Sequence, residues 1–376
     1  MDSFVYIYRC TGYNKKNIKE IISDYFKDKD LSGIFSGKKI LIKPNMLQAH
    51  RPEENVTTHP LVVEAVAEYI KEHGGKCLIG DSPSGRGKEN AMHAAEKSGF
   101  LAVCERQNID FDFFDGQRLI KHEIKDGKVY KHIFLPESYS SYDIVMNIPK
   151  LKTHAFTTFT LGIKNMFGMV VGNSKADTHR RAPDPKHFAD AICDIYSAVV
   201  PDYTILDAIE GMDGQGPVTG KTKKLNRIFI SDDANALDSA VISMCGFNPH
   251  KSIINKKAAE RGLGLIEPKA VKNCYEGTDE EFKRFKIPAI PAIVTRIPSW
   301  LVKILSLFLS RKPVINISKC STCGNCIDIC PAEAISYCGK YPAFDLKKCI
   351  RCFCCIERCE NGAISEKSNR ITKLLS

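Results

Sequence analysis

Two short runs near the carboxyl end constrain this chain more than any other feature. CSTCGNCIDICP places cysteines at 320, 323, 326 and 330, and CIRCFCCIERCE places them at 349, 352, 355 and 359. Both read C-x2-C-x2-C-x3-C, and both lead to Ala-Ile-Ser, at 334–336 and 363–365, so the second run duplicates the first. Cysteines three apart let one loop present three thiolates to the corners of a cubane while its amides point at the sulfides. The fourth cysteine falls on the following helical turn and leads away, so it reaches the other cubane. Soft thiolates select iron–sulfur chemistry. Two zinc sites are the alternative, but paired C-x2-C ligands do not call for a third cysteine at +3 and a fourth at +4. The expectation is therefore two 4Fe-4S clusters, one on Cys320, Cys323, Cys326 and Cys359 and one on Cys349, Cys352, Cys355 and Cys330.

This region resembles the bacterial two-cluster ferredoxins throughout its length. Pro331 follows the first run, whereas Glu360 stands where the second repeat would carry proline, a change to the turn and not to the ligation. Cys354 is out of register beside Cys355 and reads, with Cys338, as a packed or spare thiol. Residues 313–376 carry nine basic and six acidic side chains. Two clusters would add about −4, leaving the region near neutral. Free ferredoxin carriers are strongly acidic, which steers them to partners. A near-neutral module suits electron exchange within its own chain or with a redox partner protein at a fixed face.

The other eight of the sixteen cysteines are scattered, which fits a reducing cytoplasm. The start, MDSFVYIYRC, lacks the basic and apolar regions of a signal peptide. The formal charge is +10, and eight ligand thiolates with two cluster cores bring it to about +6. No basic stripe with interleaved aromatics is present, so nucleic acid is not an expected partner. With 376 residues, of which 43% are apolar, the chain can bury the cores of two domains.

Residues 1–285 alternate strand and helix patterns. KKILIKPN (38–45) is a short apolar strand, and THPLVVEAVAEYIKEHGG (58–75) is a helix with Pro60 near its start and a Gly-Gly stop. KCLIGD (76–81) and KENAMHAAEKSGF (88–100) repeat the pair. It resumes with strands at 141–151, 203–211 and 226–233 and helices at 185–200 and 234–247, the last capped by Asp232 or Asp233. AFTTFTLGIKNMFGMVVG (155–172) is apolar nearly all round and reads as buried. This alternation predicts an α/β domain with a mostly parallel sheet, followed over 314–376 by an α+β ferredoxin-like domain. Between them, 286–313 forms a connector with Pro288, Pro291 and Pro298, then SWLVKILSLFLSRK. As a helix over 299–311 that run leaves only Lys303, Ser306 and Ser310 as a polar stripe. Packing between the domains is the expected use of such a face. A partner or a peripheral membrane contact beside Trp300, Arg296, Arg311 and Lys312 is the alternative.

Ligands in open parallel sheets bind at strand carboxyl ends. Four loops fall there: Lys43-Pro44-Asn45, Asp81-Ser82-Pro83-Ser84-Gly85, Lys150-Leu151-Lys152-Thr153-His154 and Glu210-Gly211-Met212-Asp213-Gly214. Lys164-Asn165 adds another lysine and an amide. Each glycine alone reads as a turn and each lysine alone as a solvated strand end. As a set they suit a small anionic ligand. Lys43, Lys150, Lys152 and Lys164 are the candidate anion holders, with Asn45, Ser84, Gly85, Asn165 and Gly211 beside them. Asp81, Glu210, Lys152 and His154 are the candidate catalytic groups. Lys43, Asp81, Lys152 and Glu210 are expected to face one cavity. His154, His179 and His187 lie nearest these loops, and no pair has metal-ligand spacing. Gly216-Pro-Val-Thr-Gly-Lys-Thr222 is one residue short of a P-loop, and no G-x-G-x-x-G follows the first strand.

In order, IKPNM, IGDSPSG, NIPKLKTH, GIKNMFG, AIEGMDGQGP and ALDSAV, followed by a ferredoxin module, resemble the iron–sulfur proteins of the domain of unknown function 362 family. The resemblance runs from about residue 5 to 250. It implies cluster binding and a shared amino-terminal pocket, and no particular reaction. The reading is an iron–sulfur electron-transfer protein, an oxidoreductase passing electrons between its clusters and an anionic ligand. An adaptor that docks a partner enzyme and an iron–sulfur redox sensor are the alternatives.

Overall fold

The computed structural model describes residues 4–85, 87–154, 157–182, 184–268, 270–276, 278–283, 285–286, 312–359 and 361–367. The apolar run 299–311 and Glu360 lie outside them.

Short apolar runs between lysines, glycines and prolines become strands. In the amino-terminal domain these are β1 (Phe4–Arg9), β2 (Lys39–Pro44), β3 (Lys76–Asp81), β4 (Phe111–Phe113), β5 (Leu119–Glu123) and β6 (His132–Pro136). They continue with β7 (Ile144–Ile148), β8 (Lys150–His154), β9 (Thr158–Thr160), β10 (Tyr203–Asp213), β11 (Lys221–Ser231) and β12 (Ala270–Cys274). Ten of them form one sheet in the order β12-β1-β11-β10-β7-β2-β3-β4, with β8 paired to β10 and β9. β10-β7-β2-β3-β4 run parallel, as the strand–helix alternation predicts. β11 runs antiparallel to both β10 and β1, so the sheet is mixed. The segment between β10 and β11 closes a hairpin, which the reading of Glu210–Gly214 as a strand-end ligand loop did not anticipate. β5 and β6 form a separate hairpin.

Helices cover both faces. Pro60–Glu72 has Pro60 in its first turn and buries Val62, Val63, Val66 and Ile70 against β2 and β3. Phe188, Ile192 and Ile195 of Pro185–Ala198 fill the opposite core with Leu41, Val145 and Met166. Ala234–Met244 is capped by Asp233, whose carboxylate accepts from the Asn235 and Ala236 amides at 2.9 and 3.0 Å. Burial of this kind stabilises by roughly 25 cal/mol per Å² of apolar surface. The stretch after β9 folds as a helical turn, Gly162–Asn165, and a 3-10 turn, Met166–Met169, with Leu161, Ile163, Met166 and Met169 buried as expected.

The carboxyl-terminal module has the pseudo-symmetry of its duplicated sequence. β13 (Lys312–Ile315) pairs antiparallel with β16 (Ile364–Lys367), and β14 (Ile335–Cys338) with β15 (Tyr341–Phe344). The helical turns Asn325–Asp328 and Cys354–Glu357 begin within the two cysteine runs. Its core is Cys326, Ile335, Phe353, Cys355, Ile356 and Ile364.

Candidate functional site

The cysteines sort into two quartets. One cavity of about 320 Å³ is lined by Cys320, Cys323, Cys326 and Cys359. A second, also about 320 Å³, is lined by Cys330, Cys349, Cys352 and Cys355, and by Cys354 as a fifth cysteine. Each cavity thus holds three in-register cysteines of one run and the fourth of the other. Backbone amides donate to ligand sulfurs, Thr322 to Cys320 at 3.4 Å, Ala334 to Cys330 at 3.2 Å and Ala363 to Cys359 at 3.2 Å. Amides aimed at sulfur suit thiolates in negative clusters. Burial, with neighbouring thiolates, pushes the Cys326 thiol up to about 11 and the Cys355 thiol well up. A cation beside these two thiols holds them deprotonated, which a 4Fe-4S cluster supplies.

The two quartets differ in surroundings. Cys323 is exposed, whereas Cys352 and Cys355 are buried. The Cys352 run faces the amino-terminal domain. There the sulfurs of Cys352 and Cys354 and a ring nitrogen of His179 lie within 4.8 Å of one another, all three residues buried.

A cavity of about 670 Å³, open to solvent, lies at this junction. Its amino-terminal wall includes Asn45, Asp81, Ser82, Ser84, Lys164 and Lys175, and its far wall includes Ile329 and Cys354 of the cysteine-rich module. Five residues of the sequence-derived site line it: Asn45, Asp81, Ser84, Lys164 and Asn165. Lys43 lies directly behind. Its ammonium donates to Asp81 Oδ1 at 2.9 Å and to the Pro44 carbonyl at 3.0 Å. Burial pulls this lysine below its ordinary range, against the opposing pull of Asp81. Asp81 also accepts from the amides of Met46 and Ser82, each at 2.9 Å. Asn45 and Asn165 are joined at 2.9 Å, and Asn165 donates on to Asn147 at 2.8 Å.

The remaining candidates do not line this cavity. Lys152 is buried and supports it from behind, donating to Asn45 Oδ1 at 2.7 Å and to the Val56 carbonyl at 2.5 Å. Lys150 pairs with Asp207 at 3.0 Å and donates to the Tyr13 hydroxyl at 2.6 Å. Tyr13 stacks on His59 with ring centroids 3.6 Å apart, and burial brings His59 down to about 4. Glu210 accepts from Asn55 at 2.8 Å. His154 accepts from the Thr157 amide at 3.2 Å. Gly211 lies against Leu225 and the Leu151 carbonyl, and Gly85 against Asn90. Lys43, Asp81, Lys152 and Glu210 therefore do not all face one cavity. Asp81 lines it, Lys43 and Lys152 brace it, and Glu210 belongs to a separate polar network.

Three lining groups were not among the sequence candidates: Lys175, His179 and Cys354. Lys175 lies on the helix Asn173–Arg181 and donates to the Ser82 carbonyl and, at 3.1 Å, to the Pro83 carbonyl. Burial lowers it to about 8. His179 lies one helical turn later. NSKADTHRR has no apolar stripe to mark a helix, so the segment reads as a solvated loop.

Among the described residues no helix is long and apolar enough to cross a membrane.

Residues 40–243 match the family model described as Domain of unknown function (DUF362), and residues 313–336 match a 4Fe-4S binding domain. A thylakoid-associated protein, sll1697, of Synechocystis is 36% identical over 230 residues, covering 61% of this chain and 69% of that protein. The lactate racemase apoprotein of Thermoanaerobacterium thermosaccharolyticum superposes with a TM-score of 0.39 at 13% identity. That match covers 61% of this chain and 54% of the racemase, too loose a likeness to carry an argument. The family match spans more than half of the chain and contains the whole amino-terminal wall of the cavity, so the protein belongs to the domain of unknown function 362 family.

Proposed function

We propose that this protein is a cytoplasmic iron–sulfur oxidoreductase with two 4Fe-4S clusters, exchanging electrons with a small anionic ligand in the cavity between its modules. One observation carries the reading. The cavity is walled on one side by strand-end loops rich in lysine and amide groups, and on the other by Ile329 and Cys354. Ile329 directly precedes Cys330, and Cys354 lies between Cys352 and Cys355. A ligand there sits against the loops of the inner quartet. The outer quartet, with exposed Cys323, is the natural side for a redox partner protein. Each cluster supplies one-electron storage when bound. The chain's own residues enclose the ligand, neutralise its charge and limit water around it.

Anaerobically reconstituted protein should bind about eight irons by the ligation rule for paired runs. Dithionite-reduced protein should show two electron paramagnetic resonance signals. An iron content near four, or zinc in place of iron, overturns the two-cluster assignment. Mass spectrometry of small molecules released from anaerobically purified protein tests the ligand. A ligand is expected to be lost when Ser84 and Asn165 are replaced, and its retention in that variant removes the cavity as its site.

A further inference from the structure

We infer that the cavity between the modules is a site for a small carboxylate or oxyanion, anchored by Lys175 and Ser82, which binds when the inner cluster is oxidised and leaves when it is reduced. This rests on the assignment of Cys330, Cys349, Cys352 and Cys355 to a cluster.

The anchor follows from the hydrogen-bond inventory. A lysine ammonium has three N–H groups. Lys175 gives two to the carbonyls of Ser82 and Pro83 and lines the cavity with the third available. Ser82 also lines the cavity, and its hydroxyl is a buried group. It lies by the Asp115 carboxyl without completing a hydrogen bond among the described residues. Two acids stand near. Asp81 already accepts from Lys43 and two amides. Burial pushes Asp115 toward its neutral form. Neither opposes an incoming anion as a bare carboxylate would. Gly168 keeps this wall flat, since a β-carbon there would fall 2.1 Å from Asp81 Oδ1 and 2.6 Å from Lys43 Nζ.

The coupling follows from the far wall. Ile329 adjoins Cys330 and Cys354 adjoins Cys355, two of the four inner-quartet cysteines. The outer quartet's cavity shares no lining residue with this one. Reduction adds one negative charge to the inner cluster. At roughly 10 Å and an effective dielectric near 20, that charge weakens the binding of a monoanion by about tenfold or more. Linkage makes the effect reciprocal, so the bound anion lowers the potential of the inner cluster by the same factor and leaves the outer cluster unmoved.

The test uses the anaerobic holoprotein with formate, acetate and inorganic phosphate as probes. Redox titration with electron paramagnetic resonance follows both clusters, and calorimetry measures affinity before and after dithionite reduction. At least one probe should bind the oxidised protein about tenfold or more tightly than the reduced protein. It should move one cluster potential downward and not the other. Lys175→Gln should abolish both effects with iron content unchanged, and Lys175→Arg should restore them. Equal affinity in both redox states overturns the coupling while leaving the anion site and the cluster assignment standing. Binding unchanged in Lys175→Gln overturns the location. Failure of all three probes to bind overturns the anion site.

Discussion

Gly168→Ala tests the cavity wall with one methyl group. The added carbon would lie 2.1 Å from Asp81 Oδ1 and 2.6 Å from Lys43 Nζ. An ordinary contact needs roughly 3.4 Å, so the carboxylate oxygen has to retreat by more than about 1 Å, in a close-packed interior that resists such shifts. Oδ1 makes 2.9 Å bonds to both Lys43 Nζ and the Ser82 amide, and neither survives that retreat. Lys43 is 0% exposed, so water does not replace what its ammonium loses. Leaving one member of a buried pair uncompensated costs about 3–5 kcal/mol. Anaerobic urea denaturation of the holoprotein should show a loss in this range, together with loss of probe-anion binding. Gly33→Ala is the control, because a β-carbon there meets nothing within 4 Å. The cause is isolated by repeating Gly168→Ala on a Lys43→Met, Asp81→Leu background. There the clash with charge is gone and the penalty should fall by at least about 1 kcal/mol. A single variant within about 1 kcal/mol of wild type, or the same penalty on both backgrounds, refutes the reasoning.

Cys354→Ala should leave the iron content unchanged and Cys355→Ala should lower it, by iron assay and electron paramagnetic resonance, since both line the same cavity but only Cys355 is in ligand register. Tyr13→Phe removes a hydroxyl that contacts Lys150 at 2.6 Å and Asp207 at 3.1 Å, and should cost about 1–3 kcal/mol in urea denaturation. A loss below that range would mean that the Lys150–Asp207 pair is sufficient alone. The cavity's anion affinity should fall as pH rises through about 8, because burial lowers Lys175 to that value and the ammonium is lost above it. Asp81 and Asp115 raise this lysine and Lys43 and Lys164 lower it, all four acting on the same ammonium. Calorimetric affinity should hold below about pH 7 and decline toward pH 10. Lys175→Arg should remain flat across that range, and a flat wild-type profile would exclude Lys175 as the anchor.

Much of the sheet is readable because its strands are short apolar runs with clear punctuation. β2, β3, β7 and β10 all begin within three residues of the starts expected for them. The strand-end lysines illustrate where such reading stops. Lys150 and Lys152 look like solvated groups or anion holders at the end of an apolar run. They are 1% and 0% exposed, because β8 continues and is covered by distant segments. Lys150 finds Asp207, and Lys152 finds Asn45 and the Val56 carbonyl. A local pattern shows that a lysine follows a strand, but not that a carboxylate 57 residues away will cover it. The β10–β11 hairpin escaped for a related reason. Lys221–Lys224 is polar, so β11 showed itself only in its apolar second half.

Cys354 carries the argument furthest. Ligand register alone makes it a spare thiol, and register is the right test of ligation. Cys354 lines the same quartet cavity as Cys352 and Cys355, and it also lines the cavity shared with the amino-terminal domain. On a free ferredoxin that second side would meet solvent, where an unprotected thiol beside a redox centre is a liability. Here Cys354 is 7% exposed, because the amino-terminal domain and His179 lie against it. A buried, out-of-register thiol in a cluster loop is thus a sign that the loop is covered. The covering surface is the cavity wall formed by the DUF362 domain, so the two modules meet at the Cys352 run.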